Sequence, residues 1–171
     1  IYALIAFDSD KAQQAVQDLS RLLRHLLYDN NQDFIPLNRE LEFLKNYVAL
    51  MKIRLSSNVD LQFHIDIPSE NPIRVAPLIF ISLFENAFKH GISYNHPSFI
   101  HLKIEYADKV VTGTLSNSRH TASGTQHTAG IGLENVRKRL ALIYGEKNYT
   151  LDIREEEQTY TVKLVIPTLN A

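Results

Sequence analysis

The sequence predicts an α+β chain in which a pair of helices precedes a layer of helices on a sheet. Apolar residues recur at helical spacing through the first third, and beyond "SSN" (56–58) the period switches to two. The later segments then give the order α-α-β-α-β-β-loop-α-β-β, with no internal repeat.

Leu19, Leu22, Leu23, Leu26 and Leu27 fall at i, i+3, i+4, i+7 and i+8, which predicts one apolar face of a helix over about 9–29. "YDNNQDF" breaks it with turn-forming Asn and Asp. Pro36 suits the first turn of a second helix, where a missing N–H costs nothing. Leu37, Leu41, Leu44, Val48, Met51 and Leu55 then alternate spacings of four and three, a heptad seam. The core of a monomeric helical hairpin would also show such a seam, but a bundle that includes a second chain is the preferred reading.

"VDLQFHIDI" (59–67) alternates apolar and polar residues, as a half-buried strand does. "PSENPI" is a loop, and Pro77 stands at the start of an apolar helix ending near Gly91. "FIHLKIEYA" (99–107) and "KVVTGTLSN" (109–117) read as strands joined by a tight turn near Asp108. Residues 118–129, "SRHTASGTQHTA", hold no large apolar side chain and are expected to form a mobile loop. "GIGLENVRKRLALIYG" is a helix with Leu133, Val136, Leu140 and Ile143 on one face, closed by Gly145. "YTLDIRE" and "TYTVKLVIP" close the chain as a strand pair.

At 171 residues the chain is long enough for one ordinary domain or a domain with a helical appendage. It has no cysteine, which excludes disulfides, thiolate zinc sites and cysteine nucleophiles. A formal charge of −1 argues against a general nucleic-acid binder. No apolar run approaches the ~18 residues of a membrane span. The start, "IYALIAFDSD", reads as a chain entered mid-helix and cut from something longer.

Two segments carry chemistry. In "LIFISLFENAFKHG" (78–91), helical spacing puts Asn86, Lys89 and His90 on neighbouring turns of one face. A carboxamide oxygen is a hard neutral ligand suited to Mg²⁺, and a nearby lysine can meet phosphate. The plainer reading is a polar cluster capping a helix end beside solvent. In the second segment Gly130 and Gly132 flank Ile131 at a helix N-terminus, where bare backbone N–H groups and the helix dipole suit an anion. A hinge or cap would also account for that glycine pair. A P-loop is excluded, because no G-x-x-x-x-G-K-[ST] occurs.

"ENAFKHG" resembles the N box, and "GIGLENVRKRL" the glycine box, of the GHKL ATP-binding fold. Within that group the chain is most similar to LytS-type sensor histidine kinases. "LSRLLRHLLYD", "PLNRELEFLKNYVALMKIRL" and "YGEKNYTLDI" extend the likeness over nearly all of it. The resemblance implies a GHKL (Bergerat) α/β sandwich over 57–171, its mixed, mostly antiparallel sheet covered by helices on one face. It implies a helical dimerisation and phosphotransfer segment over 1–56.

By the same resemblance ATP and Mg²⁺ are the cofactors, with Asn86 holding the metal. Lys89 and His90 approach phosphate and ribose, and Gly130, Ile131, Gly132 and Leu133 form the glycine box behind a lid. The family's adenine-reading Asp-x-Gly is here "NSR", with Asn117 for the carboxylate and Arg119 for the glycine. Ser82 stands where gyrase-like relatives carry a water-activating Glu, which argues against a hydrolase. Glu85 is a candidate for polarising the acceptor or tuning a metal-bound water.

In the family the acceptor histidine lies in an Asn-Pro-His-Phe-Leu-Phe-Asn segment just ahead of sequence like "IYALIAFDSDKA". His25 is therefore expected to be a packing or surface residue. His64, His96, His101, His120 and His127 show no metal-site spacing, and the two in the lid are expected to be solvated. The implied whole is the cytoplasmic catalytic core of a bacterial inner-membrane sensor histidine kinase. It would be homodimeric through its helices and would pass phosphate to a response regulator. The alternatives are an interaction module with a decayed nucleotide pocket and a GHKL-type ATP hydrolase.

Overall fold

The computed structural model describes residues 5–28, 32–69, 72–93, 95–120 and 131–170. The chain divides into two units, Ile1–Leu55 with Val75–Leu78, and Ser56–Arg74 with Ile79–Ala171.

In the first unit, α1 (Ser9–Tyr28) is capped by Asp8, whose Oδ1 accepts the Lys11 N–H at 3.0 Å. α1 packs against α2 (Leu37–Lys52). The buried residues of α1 are Ala12, Ala15, Asp18 and Leu22. Among the described leucines of the expected face Leu22 is inside, whereas Leu19, Leu23 and Leu27 are 38%, 51% and 70% exposed. The side chains of Leu26 and His25 lie outside the described residues. Small residues let the two helices approach closely, so the alanine face takes the contact. Asp18 is tolerated there because Gln14 Nε2 and Arg21 donate to its Oδ1 at 3.0 and 3.2 Å.

The α2 seam is buried at Leu37, Leu41, Leu44 and Val48, and half-buried at Met51 and Leu55. Pro36 lies one residue outside the helix, in the short strand β1 (Ile35–Pro36), with φ −55 and ψ 133. Its ring therefore sets an extended entry to α2 instead of the first helical turn.

The second unit is built on five strands: β2 (Val59–Asp66), β4 (Ser98–Ala107), β5 (Val110–Ser118), β6 (Thr150–Glu155) and β7 (Thr159–Pro167). Their order is β2-β4-β5-β7-β6, with β2 parallel to β4 and every other pair antiparallel. The β4–β5 turn falls at Asp108 and Lys109, with φ of 51 and 63, as the twist of a two-residue hairpin demands. Two further strands, β3 (Ile73–Val75) and β8 (Leu169–Asn170), pair antiparallel and were not legible in the sequence.

One face of the sheet is apolar. Ile100, Leu102 and Ile104 of β4, Val111 and Leu115 of β5, and Val162, Leu164 and Ile166 of β7 are all buried. α3 (Ile79–His90) lies on β5, and α4 (Ile131–Tyr144) packs against α3. Phe80 sits so close to Gly113 that a Cβ there would be 2.7 Å from its ring. Phe80 and Phe84 are fully buried, which contributes roughly 1.5–3 kcal/mol for each side chain. The opposite face carries Thr114, Asp152, Arg154, Thr161 and Lys163 around a shallow basin. Helices therefore cover one face of a mixed, mostly antiparallel sheet, as expected.

Candidate functional site

α3 buries Ile79, Phe80, Ile81, Leu83, Phe84 and Ala87. That leaves its other face for Ser82 and Asn86, both half-buried, and for the exposed Glu85, Lys89 and His90. The polar residues of the 78–91 segment thus share a helix with its apolar residues because they take the face those residues leave free. The helix closes at Gly91, whose N–H donates to Ala87 O at 2.7 Å.

Gly91 meets β5 at Asn117, a residue only 2% exposed. Asn117 Nδ2 donates to Ser118 O at 2.8 Å, which leaves the carboxamide oxygen as an acceptor. Among the described residues no donor reaches that oxygen. Ser118 Oγ accepts the Phe99 N–H at 2.7 Å and ties the strand end to β4.

Arg119, where the resemblance implies a glycine, turns toward the β6–β7 hairpin. Its backbone N–H donates to Gln158 O at 2.8 Å, and its guanidinium meets Glu156 O at 3.2 Å and Glu155 Oε2 at 3.1 Å. These bonds hold the long side chain against the hairpin.

Sheet register adds two residues that the sequence reading missed. Asn117 is opposite Tyr160 on β7, and Tyr160 is opposite Glu155 on β6. Directly opposed residues point to the same face. Tyr160 therefore stands beside Asn117 on the helix-bearing side. Burial, and then the Glu155 carboxylate, push its phenol above the ordinary 10.0. The strand "TYTVKLVIP" announced an inward residue at 160, but not that its neighbour across the ladder would be Asn117.

Of the glycine box, Gly130 lies outside the described residues, as does the segment 121–129 and the side chain of Ile131. Ile131 opens α4, Leu133 is buried, and a Cβ on Gly132 would meet nothing within 4 Å among the described residues. The two motif helices are neighbours, and Asn117 lies against the end of the first.

His120 differs from the solvated residue expected. It is half-buried, shares a 3.0 Å hydrogen bond with Ser98 Oγ and stacks on His96 at 6.2 Å. His101 meets Asp60 at 2.8 Å and holds that carboxyl below its usual 3.8. Among the described residues no three His, Asp or Glu gather as a metal site. No described helix is long and apolar enough to cross a membrane.

Comparison with solved structures defines the class of this fold: it is that of histidine kinase catalytic domains. The catalytic domain of histidine kinase ThkA matches with a TM-score of 0.56 at 20% identity, over 78% of this chain and 93% of that one. The histidine kinase domain of the Erythrobacter litoralis blue-light activated kinase matches with a TM-score of 0.59 at 15% identity, over 96% and 84%. ThkA in complex with the response regulator protein TrrA also matches, with a TM-score of 0.54 at 17% identity, over 90% of this chain and 48% of that one.

In sequence, residues 1–59 match the histidine kinase family. The sensor protein LytS of Staphylococcus haemolyticus is 28% identical over 98% of this chain and 31% of its own length. The sensor histidine kinase YesM of Bacillus subtilis is 26% identical over 91% of this chain and 27% of its own. The chain is thus similar to LytS-type sensor histidine kinases along nearly its whole length. It spans about a third of the LytS proteins it matches.

Proposed function

We propose that this chain is the catalytic core of a two-component sensor histidine kinase that binds Mg·ATP and serves autophosphorylation of a histidine. The observation that carries the reading is the meeting of Gly91 and Asn117, which joins the end of the N-box helix to the position that reads adenine in the family. The carboxamide polarity set by Ser118 O leaves an oxygen to accept an amino group. Asn86, half-buried on a helix with one open face, offers the neutral oxygen that Mg²⁺ takes alongside water and phosphate. Bound there, the metal would neutralise charge on the phosphates. Lys89, exposed one turn on, would add a point charge to the same end of the nucleotide. Gly132, in the first turn of α4, offers a backbone N–H at the positive end of that helix for a phosphate.

The remaining roles follow from this reading. Residues 1–56 are the helical segment and 57–171 the nucleotide-binding domain, in a cytoplasmic part of a membrane-bound parent. The exposed leucines of α1 support a homodimer through that segment. The receiver domain of a response regulator is the downstream partner. Phosphoryl transfer depends mainly on positioning and charge stabilisation. That suits a chain with Ser82 in place of a water-activating carboxylate.

A fluorescent ATP analogue titrated with and without Mg²⁺ tests the binding. Asn86→Ala should abolish the Mg²⁺-dependent part and leave the fold intact. Equal binding with and without the metal, in both proteins, would refute the assignment. Radiolabelled ATP supplied to a longer protein with the upstream segment should label a histidine there. Steady phosphate release without any labelling would favour the hydrolase reading.

A further inference from the structure

The peptide between Ser118 and Arg119 is held on both sides. Its carbonyl, Ser118 O, accepts from Asn117 Nδ2 at 2.8 Å, and its N–H donates to Gln158 O at 2.8 Å. A peptide unit is planar, so fixing the N–H also fixes the direction of the carbonyl. Gln158 lies in the turn between β6 and β7, which the Glu156 N–H closes on Thr159 O at 2.8 Å. Arg119 grips the same turn with its side chain, through Glu156 O at 3.2 Å and Glu155 Oε2 at 3.1 Å. All of these groups belong to the second unit.

A carboxylate presents an oxygen whichever way it turns, whereas a carboxamide presents either an acceptor or a donor. Asn117 therefore needs its orientation set, where an aspartate would not. From this geometry we infer that Arg119 is a positioning residue for base selectivity. By gripping the β6–β7 turn it fixes the Ser118–Arg119 peptide, and with it the Asn117 oxygen as the acceptor offered to a purine amino group. The inference rests on the nucleotide reading above for its ligand, but not for the chain of hydrogen bonds. Asn117 and Arg119, the two departures from the motif that the resemblance implies, thus act together. The first brings in a group with two chemical faces, and the second selects one of them. Without the grip, the carboxamide could offer Nδ2 to a ligand carbonyl as readily as its oxygen to an amino group.

The test compares wild type, Arg119→Ala and Glu155→Ala for affinity toward non-hydrolysable analogues of Mg·ATP and Mg·ITP. The adenine base carries an amino group where hypoxanthine carries a carbonyl. Wild type should prefer the adenine analogue. Arg119→Ala should lower that preference by about tenfold, the scale of one hydrogen bond, with weaker adenine binding and equal or tighter hypoxanthine binding. A side chain that merely supported the fold would weaken both analogues alike. Without nucleotide, hydrogen exchange should quicken at the amides of residue 119 and Glu156.

Glu155→Ala reads the same grip from its other end. It should move the preference in the same direction but less far, since Glu156 O still accepts, and it carries the test if Arg119→Ala does not fold. An unchanged preference in Arg119→Ala, or equal losses for both analogues, would overturn the inference. A wild type that binds neither analogue would sink the nucleotide reading and the selectivity with it, while exchange at residue 119 and Glu156 would still decide the hydrogen-bond chain.

Discussion

Gly91 and Asn117 leave no room between them: a Cβ at 91 would lie 2.7 Å from Asn117 Cβ and 2.8 Å from its Nδ2. The same Cβ would lie 2.7 Å from Ala87 O, which is helix backbone and cannot swing away. Gly91→Ala should therefore destabilise the protein by about 1–3 kcal/mol, through overpacking. Urea unfolding should show a lower midpoint with an unchanged slope. If Asn117 belongs to the nucleotide site, affinity for an ATP analogue should fall too, under conditions where the variant is fully folded.

Asn117→Asp places a carboxylate at the proposed adenine-reading position, which is 2% exposed. The new side chain loses the Nδ2 donor that Ser118 O now accepts from. Two oxygens would face each other in a buried place, at a cost of about 1–3 kcal/mol. The apo variant should melt below wild type. The ionised carboxylate is a stronger acceptor for an amino group than the carboxamide. Saturating Mg·ATP should therefore raise the melting temperature of the variant more than that of wild type. An equal ligand shift in the two proteins would remove Asn117 from adenine recognition.

Tyr160 gives a titration handle beside that residue. Its folded-state pKa is raised above 10.0, first by burial and then by the charge of Glu155. The folded protein thus keeps the phenol proton more tightly than the unfolded chain does. The resulting stability is fully present below the ordinary tyrosine range and is lost as pH climbs through the raised value. Tyrosinate absorbance should show one residue ionising later than exposed tyrosines, and Glu155→Gln should bring it part of the way back. A titration of Tyr160 at the ordinary value would contradict the burial seen here.

The sheet was legible because period-two patterning depends only on which face is wet. β2, β4, β5, β6 and β7 were all expected within a residue or two of where they fall. Two-residue strands such as β8 offer no pattern to read. The motif helices were legible through residue chemistry, since Asn, Lys and His on an apolar helix need a reason.

What stayed hidden depends on neighbours distant in sequence. Tyr160 is beside Asn117 because β7 pairs with β5 in one register. Glu40 is buried with the Leu78 N–H donating to it, whereas a glutamate in a first helical turn reads ordinarily as a favourable surface charge. The leucine face of α1 falls where its spacing put it, but hydrophobicity marks an apolar stripe without telling whether its own chain covers it.

That uncovered stripe carries the last prediction. Val16, Leu19, Leu23 and Leu27 lie three or four residues apart along α1 and are 50%, 38%, 51% and 70% exposed. Residues at this spacing form one continuous strip on a helix. Fully burying a leucine contributes roughly 1.5–3 kcal/mol, so a two-fold partner covering the strip on both copies would gain substantially. Leu23→Glu should shift the protein toward monomer in sedimentation, with helix content and melting of the monomer little changed, since residue 23 contacts water in a single copy. Glu at the buried Leu22 would instead unfold the α1–α2 pair. A wild-type chain that stays monomeric at high micromolar concentration, with Leu23→Glu indistinguishable from it, would leave α1 without its second copy.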